Sequence, residues 1–124
     1  MSKIIYTKNA PEAIGPYSQA VISGNLVFTS GQIAINPESG AIEATTIEEQ
    51  TKQVCENIKN LLEASGSSIE RVIKTTCFLS DMSDFAAFNE VYGTYFTGKP
   101  ARSCVAVKTL PKNVLVEVDT VAEI

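Results

Sequence analysis

Arg102 and Cys104 lie two residues apart in the stretch 100–107, which reads PARSCVAV. The apolar alternation after the proline predicts a strand, and residues two apart on a strand point the same way. We expect the guanidinium and the thiol to share one face, about 7 Å apart along the chain. Such an arginine can bind a small carboxylate through two parallel hydrogen bonds. The alternative is a surface arginine in an ion pair beside an inert, buried cysteine, and the stretch alone leaves both readings open.

Glu117 is a carboxylate between two valines in the most apolar segment of the chain, where it needs a cationic or hydrogen-bonding partner. If the last two strands pair antiparallel across the turn 110–113, residues near 104 lie opposite residues near 117. Arg102, Cys104 and Glu117 would then meet on one face, and Glu117 would orient or deprotonate a water. A structural ion pair, or an edge carboxylate facing solvent, is the alternative.

Four further residues have side chains or backbone that suit a small ligand. Tyr17 follows a Gly-Pro turn and is a loop phenol, with plain packing as the alternative. Gly31 lets a ligand approach the backbone, and Ser30 with nearby N–H groups can bind an anion. Asn89 lies in an aromatic stripe of a predicted helix, where its amide either caps neighbouring backbone or reaches a ligand.

Composition excludes several classes of function. The chain has no histidine, which removes His-based triads and the commonest metal ligand, and no workable zinc spacing or nucleotide-binding glycine motif is present. Cys55 and Cys77 fall in apolar patterns and are expected in the core. The net charge of -4 argues against a nucleic-acid partner. No run is long enough for a membrane span and no secretion signal precedes the first strand, so we expect a cytoplasmic location.

The predicted elements follow the order β-β-β-α-β-α-β-β in a single domain, 1–124. Thr46 and Glu49 have capping-box spacing before the first helix, and Gly66 ends it. Two helices and a mixed sheet predict an α+β two-layer fold. The last strand is apolar on both faces, whereas two helices cover only one. A second copy of the chain is therefore the expected cover, which predicts a homo-oligomer.

Together these residues resemble the RidA family (also called YjgF or L-PSP) of enamine and imine deaminases, over essentially the whole chain. The segments that carry the resemblance are 9–11, 14–19, 28–32, 50–66, 72–79 with 84–85, Asn89, 100–105 and Glu117.

The resemblance implies a chorismate-mutase-like (ferredoxin-like) unit assembled as a homotrimer, with a pocket at each subunit interface and no cofactor. It implies hydrolysis of 2-aminoacrylate, 2-aminocrotonate and their imine tautomers to 2-keto acids and ammonia. Arg102 would bind the substrate carboxylate, and Glu117 and Cys104 would hold the water. Tyr17, Ser30, Gly31 and Asn89 would line the pocket.

Two other functions stay open beside the deaminase: a non-catalytic trimer that binds 2-keto acids, and an endoribonuclease or translation inhibitor. The link 97–99 before Pro100 is shorter than in many family members, which puts the preferred substrate size in doubt.

Overall fold

The computed structural model describes residues 2–124 and has the element order that the sequence predicts. Its strands and helices are β1 (Ser2–Ile5), β2 (Ala20–Ser23), β3 (Leu26–Thr29), α1 (Ile47–Ala64), β4 (Val72–Leu79), α2 (Phe85–Tyr95), β5 (Ala101–Ala106) and β6 (Val116–Glu123). Short 3-10 turns lie at Ile69–Arg71, Met82–Asp84 and Pro111–Asn113.

Local sequence signals explain the boundaries of the elements. The hairpin between β2 and β3 turns at Gly24, whose φ of +61° suits a glycine. At the start of α1 the Thr46 hydroxyl accepts the Glu49 N–H at 3.2 Å, in the predicted capping box. Gly66, with φ +84°, follows the end of this helix. No helix within residues 2–124 combines the length and the apolar character needed to cross a membrane.

The strands form one sheet in the order β1-β2-β3-β6-β4-β5. β4 pairs antiparallel with β6 on one side and parallel with β5 on the other. The predicted antiparallel pairing of the last two strands is therefore wrong. β4, α2 and β5 form a strand–helix–strand crossover, which makes β5 parallel to β4 and places it at the edge of the sheet. The chain then passes back across β4, and β6 takes its other side.

Both helices pack on one face of the sheet, which gives the α+β two-layer fold that the sequence predicts. Val116 and Val118 of β6 point into this layer and are fully buried. The opposite face carries no element and is partly apolar. It exposes Ile4 (69% accessible), Phe28 (43%) and Val105 (47%). The uncovered apolar face is thus confirmed, whereas the oligomer that would cover it stays a prediction.

Candidate active site

Arg102 is held by α2 on the helix face of the sheet. Its Nη1 donates a hydrogen bond to the Asn89 Oδ1 at 2.8 Å. Its guanidinium carbon lies 4.9 Å from the centre of the Tyr92 ring and 5.4 Å from that of Phe85, distances at which cation–π attraction operates. The sequence left Asn89 as a backbone cap or a ligand contact; in the structure its Oδ1 accepts from the arginine, and the contact with a ligand stays a prediction. A guanidinium has five N–H donors, so others remain to bind a carboxylate.

Cys104 lies on the same face, in register with Cys77 on β4. Burial raises the pKa of the Cys104 thiol, and Arg102 offsets part of that rise. The thiol is therefore protonated near neutral pH and acts as a weak hydrogen-bonding group rather than a nucleophile. Cys77 and Cys55 are fully buried, as expected. Burial raises the pKa of Cys77 to about 12 and that of Cys55 further still.

A groove of about 510 Å³ opens beside this arginine. Its walls come from the end of α2, the short link to β5 and the first residues of β5. They are Tyr92, Gly93, Phe96, Thr97, Lys99, Pro100 and Arg102. The groove therefore combines aromatic walls with a fixed cation, which suits a small organic anion.

Glu117 lies against Gly31, on the other side of the sheet. The Gln32 N–H donates to the Val118 carbonyl at 2.8 Å, and the Gln32 carbonyl accepts the Val118 N–H at 3.1 Å, so the chain beyond β3 continues beside β6. A Cβ atom on Gly31 would lie 2.8 Å from the carboxyl carbon of Glu117, so any larger residue there would have to displace the carboxylate. Glycine at this position therefore makes the space that the carboxylate occupies.

The pKa of Glu117 is raised, first by partial burial and second by the nearby charge of Asp119. Burial also raises the pKa of Asp119, against smaller opposing effects of Thr76 and Lys74. A carboxyl group with a raised pKa is a better general base than an ordinary one, because it binds the abstracted proton more firmly.

Ser30 and Tyr17 stand beside this carboxylate in loops that are tied to each other. The Ser30 Oγ donates to the Ser18 carbonyl at 2.6 Å, and the Ser30 N–H donates to the Gln19 carbonyl at 2.9 Å. The Tyr17 N–H donates to the Gly15 carbonyl at 2.9 Å in a tight turn. The phenol itself is 55% accessible, so it is available to a ligand or to another chain.

Gln19 is a structural residue of the site that sequence reasoning missed. It is 3% accessible, and its Nε2 donates to the carbonyls of Thr7 (2.9 Å), Pro11 (2.8 Å) and Ala10 (3.3 Å). Its Oε1 accepts the Thr7 N–H at 2.7 Å. One buried amide thus fixes the loop 7–11. The only signal in the sequence was a long amide directly before an apolar strand, which does not reveal its partners.

These loops and β6 enclose a cleft of about 530 Å³. The cleft contains both acidic and aromatic side chains and one cation. Its lining residues are Pro11, Glu12, Ile14, Tyr17, Gln19, Ser30, Gly31, Gln32, Ile33, Ile35, Pro111, Lys112 and Glu117. The predicted residues Tyr17, Ser30, Gly31 and Glu117 therefore share one cavity.

The predicted meeting of Arg102, Cys104 and Glu117 on one face of a single chain is wrong. Cys104 pairs with Cys77, whereas Glu117 pairs with Phe78, the next residue of β4. Consecutive residues of a strand point to opposite faces, so Glu117 lies across the sheet from the other two. The insertion of β4 between β5 and β6 causes this separation. The site residues therefore form two half-sites, one on Arg102 and one on Glu117.

Neither half-site has the donors of a metal centre. Within residues 2–124, no group of three or more His, Cys, Asp or Glu side chains is arranged to hold a metal ion. What the two halves offer is a fixed cation on one face and a carboxyl group with a raised pKa on the other.

Comparison with known proteins places this arrangement in a family. The Endoribonuclease L-PSP family profile matches residues 7–124. A "RutC family protein" of Pyrococcus horikoshii is 54% identical over 123 residues, 98% of each chain. The 2-iminobutanoate/2-iminopropanoate deaminase of Escherichia coli K12 is 46% identical over 126 residues, again 98% of each chain. The crystal structure of E. coli TdcF with bound serine superimposes with a TM-score of 0.94 at 44% identity, covering 98% of each chain. The chain therefore belongs to the L-PSP family, the family of the RidA and YjgF proteins that its sequence resembles.

Proposed function

We propose that the chain is a hydrolytic deaminase that converts 2-enamine and 2-imine acids, such as 2-aminoacrylate and 2-aminocrotonate, to 2-keto acids and ammonia. The reaction takes place in sites shared between the subunits of a homotrimer. The family membership and the name of the E. coli relative support the reaction class.

One observation carries the proposal: the chain has two half-sites that are chemically complementary but lie on opposite faces of its sheet. The half-site on Arg102 has a positioned cation but no general base. The half-site on Glu117 has a candidate general base but no cation paired with it. Carboxylate binding and water activation both become possible in one place when the Arg102 face of one subunit meets the Glu117 face of the next.

The uncovered face explains why subunits would meet in this way. Glu117 lies on that face beside exposed apolar residues, and Arg102 lies on β5 at the edge of the sheet. Packing the edge of one copy against the open face of the next buries the apolar surface. A head-to-tail contact of this kind closes into a ring when the rotation permits, and a ring of three gives three equivalent sites.

The proposed mechanism needs no strong nucleophile, because an imine is already electrophilic. Arg102 binds the substrate carboxylate through two hydrogen bonds and so fixes C2 next to a water that Glu117 holds. The neutral Cys104 thiol is a further weak hydrogen-bonding partner of this water. The enamine takes a proton on C3 to become the imine. Glu117 then removes a proton from the water as its oxygen bonds to C2, and the proton passes to the nitrogen. The C2 hydroxyl then passes its remaining proton to the nitrogen as the C–N bond breaks and the C2 carbonyl forms, so ammonia leaves and one water is consumed for each ammonia released.

A non-catalytic binding protein for 2-keto or amino acids is the second candidate. The serine in the TdcF crystal structure favours it, since that family member holds an amino acid. The raised pKa of Glu117 favours catalysis, because carboxylate binding by Arg102 gains nothing from a second, negatively charged group in the pocket.

An activity on RNA has little support in the described residues despite the family description. The chain carries a formal charge of -4 and has no histidine. The cation-lined groove is about 510 Å³, which suits a metabolite rather than a phosphate backbone.

A coupled assay tests the reaction. A serine dehydratase generates 2-aminoacrylate, and semicarbazide traps its imine tautomer; added deaminase competes by hydrolysing the imine to the less reactive 2-keto acid and so lowers the trapping. The protein is expected to lower it, and Arg102→Ala is expected to abolish the effect. Tight binding of 2-keto acids with no turnover selects the binding-protein alternative.

A mixing experiment tests whether the sites are shared. Arg102→Ala and Glu117→Ala chains are each expected to be inactive alone. When they are unfolded together and refolded, a shared site receives both intact residues with a probability of about one quarter, so that fraction of wild-type activity returns. Each variant refolded alone is the control. No recovery in verified mixed assemblies would place both residues in one subunit's site and contradict the proposal.

A further inference from the structure

The groove beside Arg102 has two cations. Lys99 lines it together with the arginine, and none of its lining residues within the described part of the chain is acidic. This is unusual for a chain with 14 acidic and 10 basic residues. The carboxylate of a 2-imine acid requires only one of these charges, which leaves the lysine without an assigned role.

The backbone at Lys99 is in a conformation that lysine seldom adopts. Its φ is +52°, in the left-handed region that favours glycine or asparagine, and it precedes Pro100, which restricts it further. The glycine of this link stands one position earlier. A Cβ on Gly98 would lie 2.8 Å from the Glu70 carbonyl oxygen, so there is no room for a side chain at position 98.

The strained residue is nevertheless fixed in place. The Lys99 N–H donates to the Phe96 carbonyl at 3.3 Å, and the link packs against Glu70 on one side. A lysine in a conformation that glycine adopts with less strain is a reason to look for a role of its side chain, because such strain clusters at functional sites. Lys112 and Asn113, at the other cleft, share this conformation.

We propose that Lys99 is a second anion-binding residue and that the preferred substrates carry a second carboxylate on their side chain. This rests on the proposed deaminase function, in which Arg102 binds the first carboxylate. Lys99 and Arg102 are three residues apart in extended chain, roughly 10 Å between Cα atoms. Their long side chains reach the two ends of a four- or five-carbon dicarboxylate, and the Phe96 and Tyr92 rings form an apolar wall for the methylene groups between them.

Ligand binding to the assembled protein tests this, with three 2-keto acids as product analogues. 2-Oxobutanoate carries one carboxylate, 2-oxoglutarate carries two, and 2-oxohexanoate provides a longer chain with one carboxylate. Lys99→Gln is expected to weaken 2-oxoglutarate by about fivefold, the upper range for an ion pair at an exposed site. Affinities for the other two ligands stay unchanged in isothermal titration calorimetry.

Two further variants keep the test decisive. Lys52→Gln removes an exposed charge on α1 outside this groove and is expected to leave all three affinities unchanged. Lys99→Gly relieves the backbone strain, so it is expected to match or exceed the wild-type melting temperature while losing the preference for 2-oxoglutarate.

The outcomes separate this inference from the proposed function. If 2-oxobutanoate binds through Arg102 but Lys99→Gln affects all ligands equally or none, the lysine is not a second anion site and only this inference fails. If Arg102→Ala leaves 2-oxobutanoate binding unchanged, the proposed carboxylate site fails, and the inference fails with it.

Discussion

The two half-sites differ in how their charged group is held. Arg102 is oriented by an amide oxygen at 2.8 Å and by two aromatic rings, all on α2. The Glu117 carboxylate is placed by packing against Gly31, and it has no side-chain hydrogen bond within residues 2–124. The cation is thus organised before any ligand arrives, whereas the carboxylate keeps its oxygens for a water or for another chain. In the proposed reaction, substrate binding and water activation would therefore depend on different elements of the fold.

The largest expected effect comes from removing the organised cation. Arg102→Ala loses two charge-assisted hydrogen bonds to the substrate, so kcat/KM for 2-aminoacrylate is expected to fall by about 10³-fold. Arg102→Lys keeps the charge but cannot form two parallel hydrogen bonds, so it is expected to recover only part of the lost kcat/KM. Equal activity of the lysine variant and the wild type would show that the two-bond geometry of the guanidinium is not needed.

Replacing the carboxylate affects the chemical step. Glu117→Gln is expected to lower kcat by about 10²-fold, the usual contribution of a general base, with little change in the affinity for 2-keto acids. The wild-type rate falls as the pH falls through the pKa of Glu117, which lies above the ordinary carboxyl value. Steady-state kinetics against pH should show this acid limb in the wild type and lack it in the variant. A limb that persists in Glu117→Gln would assign the base to another residue.

The packing of Gly31 offers a smaller effect with a matched control in the other half-site. Gly31→Ala forces a Cβ towards the Glu117 carboxyl, and the displaced carboxylate is expected to lower kcat by about tenfold. In Gly93→Ala the new Cβ meets no atom within 4 Å, so this variant of the Arg102 groove should keep full activity. If Gly31→Ala and Gly93→Ala lower kcat equally, the close packing of Gly31 against the Glu117 carboxylate is not what matters for activity.

The smallest effect concerns the charge next to Glu117. Asp119→Asn removes a negative neighbour, so the pKa of Glu117 falls and the acid limb of the rate moves to lower pH. Lys74 and Thr76 face Asp119 and remain in place. Asp84→Asn, at the start of α2, serves as the control in the same pH series. No shift would mean that burial alone sets the pKa of Glu117, and an upward shift would contradict the stated effect of Asp119.

Local signals predicted the elements well because they act over a few residues. The capping box at Thr46 and the turn at Gly24 each fixed a boundary that the structure confirms. Strand order was not predictable in the same way, since the turn 110–113 is compatible with a hairpin or with a crossover over β4. That ambiguity produced the wrong placement of Glu117 relative to Arg102.

The hydrogen-bond partners of the buried amides could not be predicted from the sequence, for a different reason. Asn89 pairs with a residue 13 positions away, and Gln19 bonds to three carbonyls that only the folded loop brings together. Residue type shows that a buried amide needs partners. It does not show which partners these are until the path of the chain is known.

In the proposed assembly, the sheet between Arg102 and Glu117 would also keep a single chain inactive. A newly made chain that has not met its partners would carry two half-sites and no complete site, so the proposed activity would begin only above the concentration at which subunits associate. On dilution the specific activity should decline steeply before the fold is lost. The amount of active enzyme in a cell would then follow the supply of chains more sharply than in simple proportion.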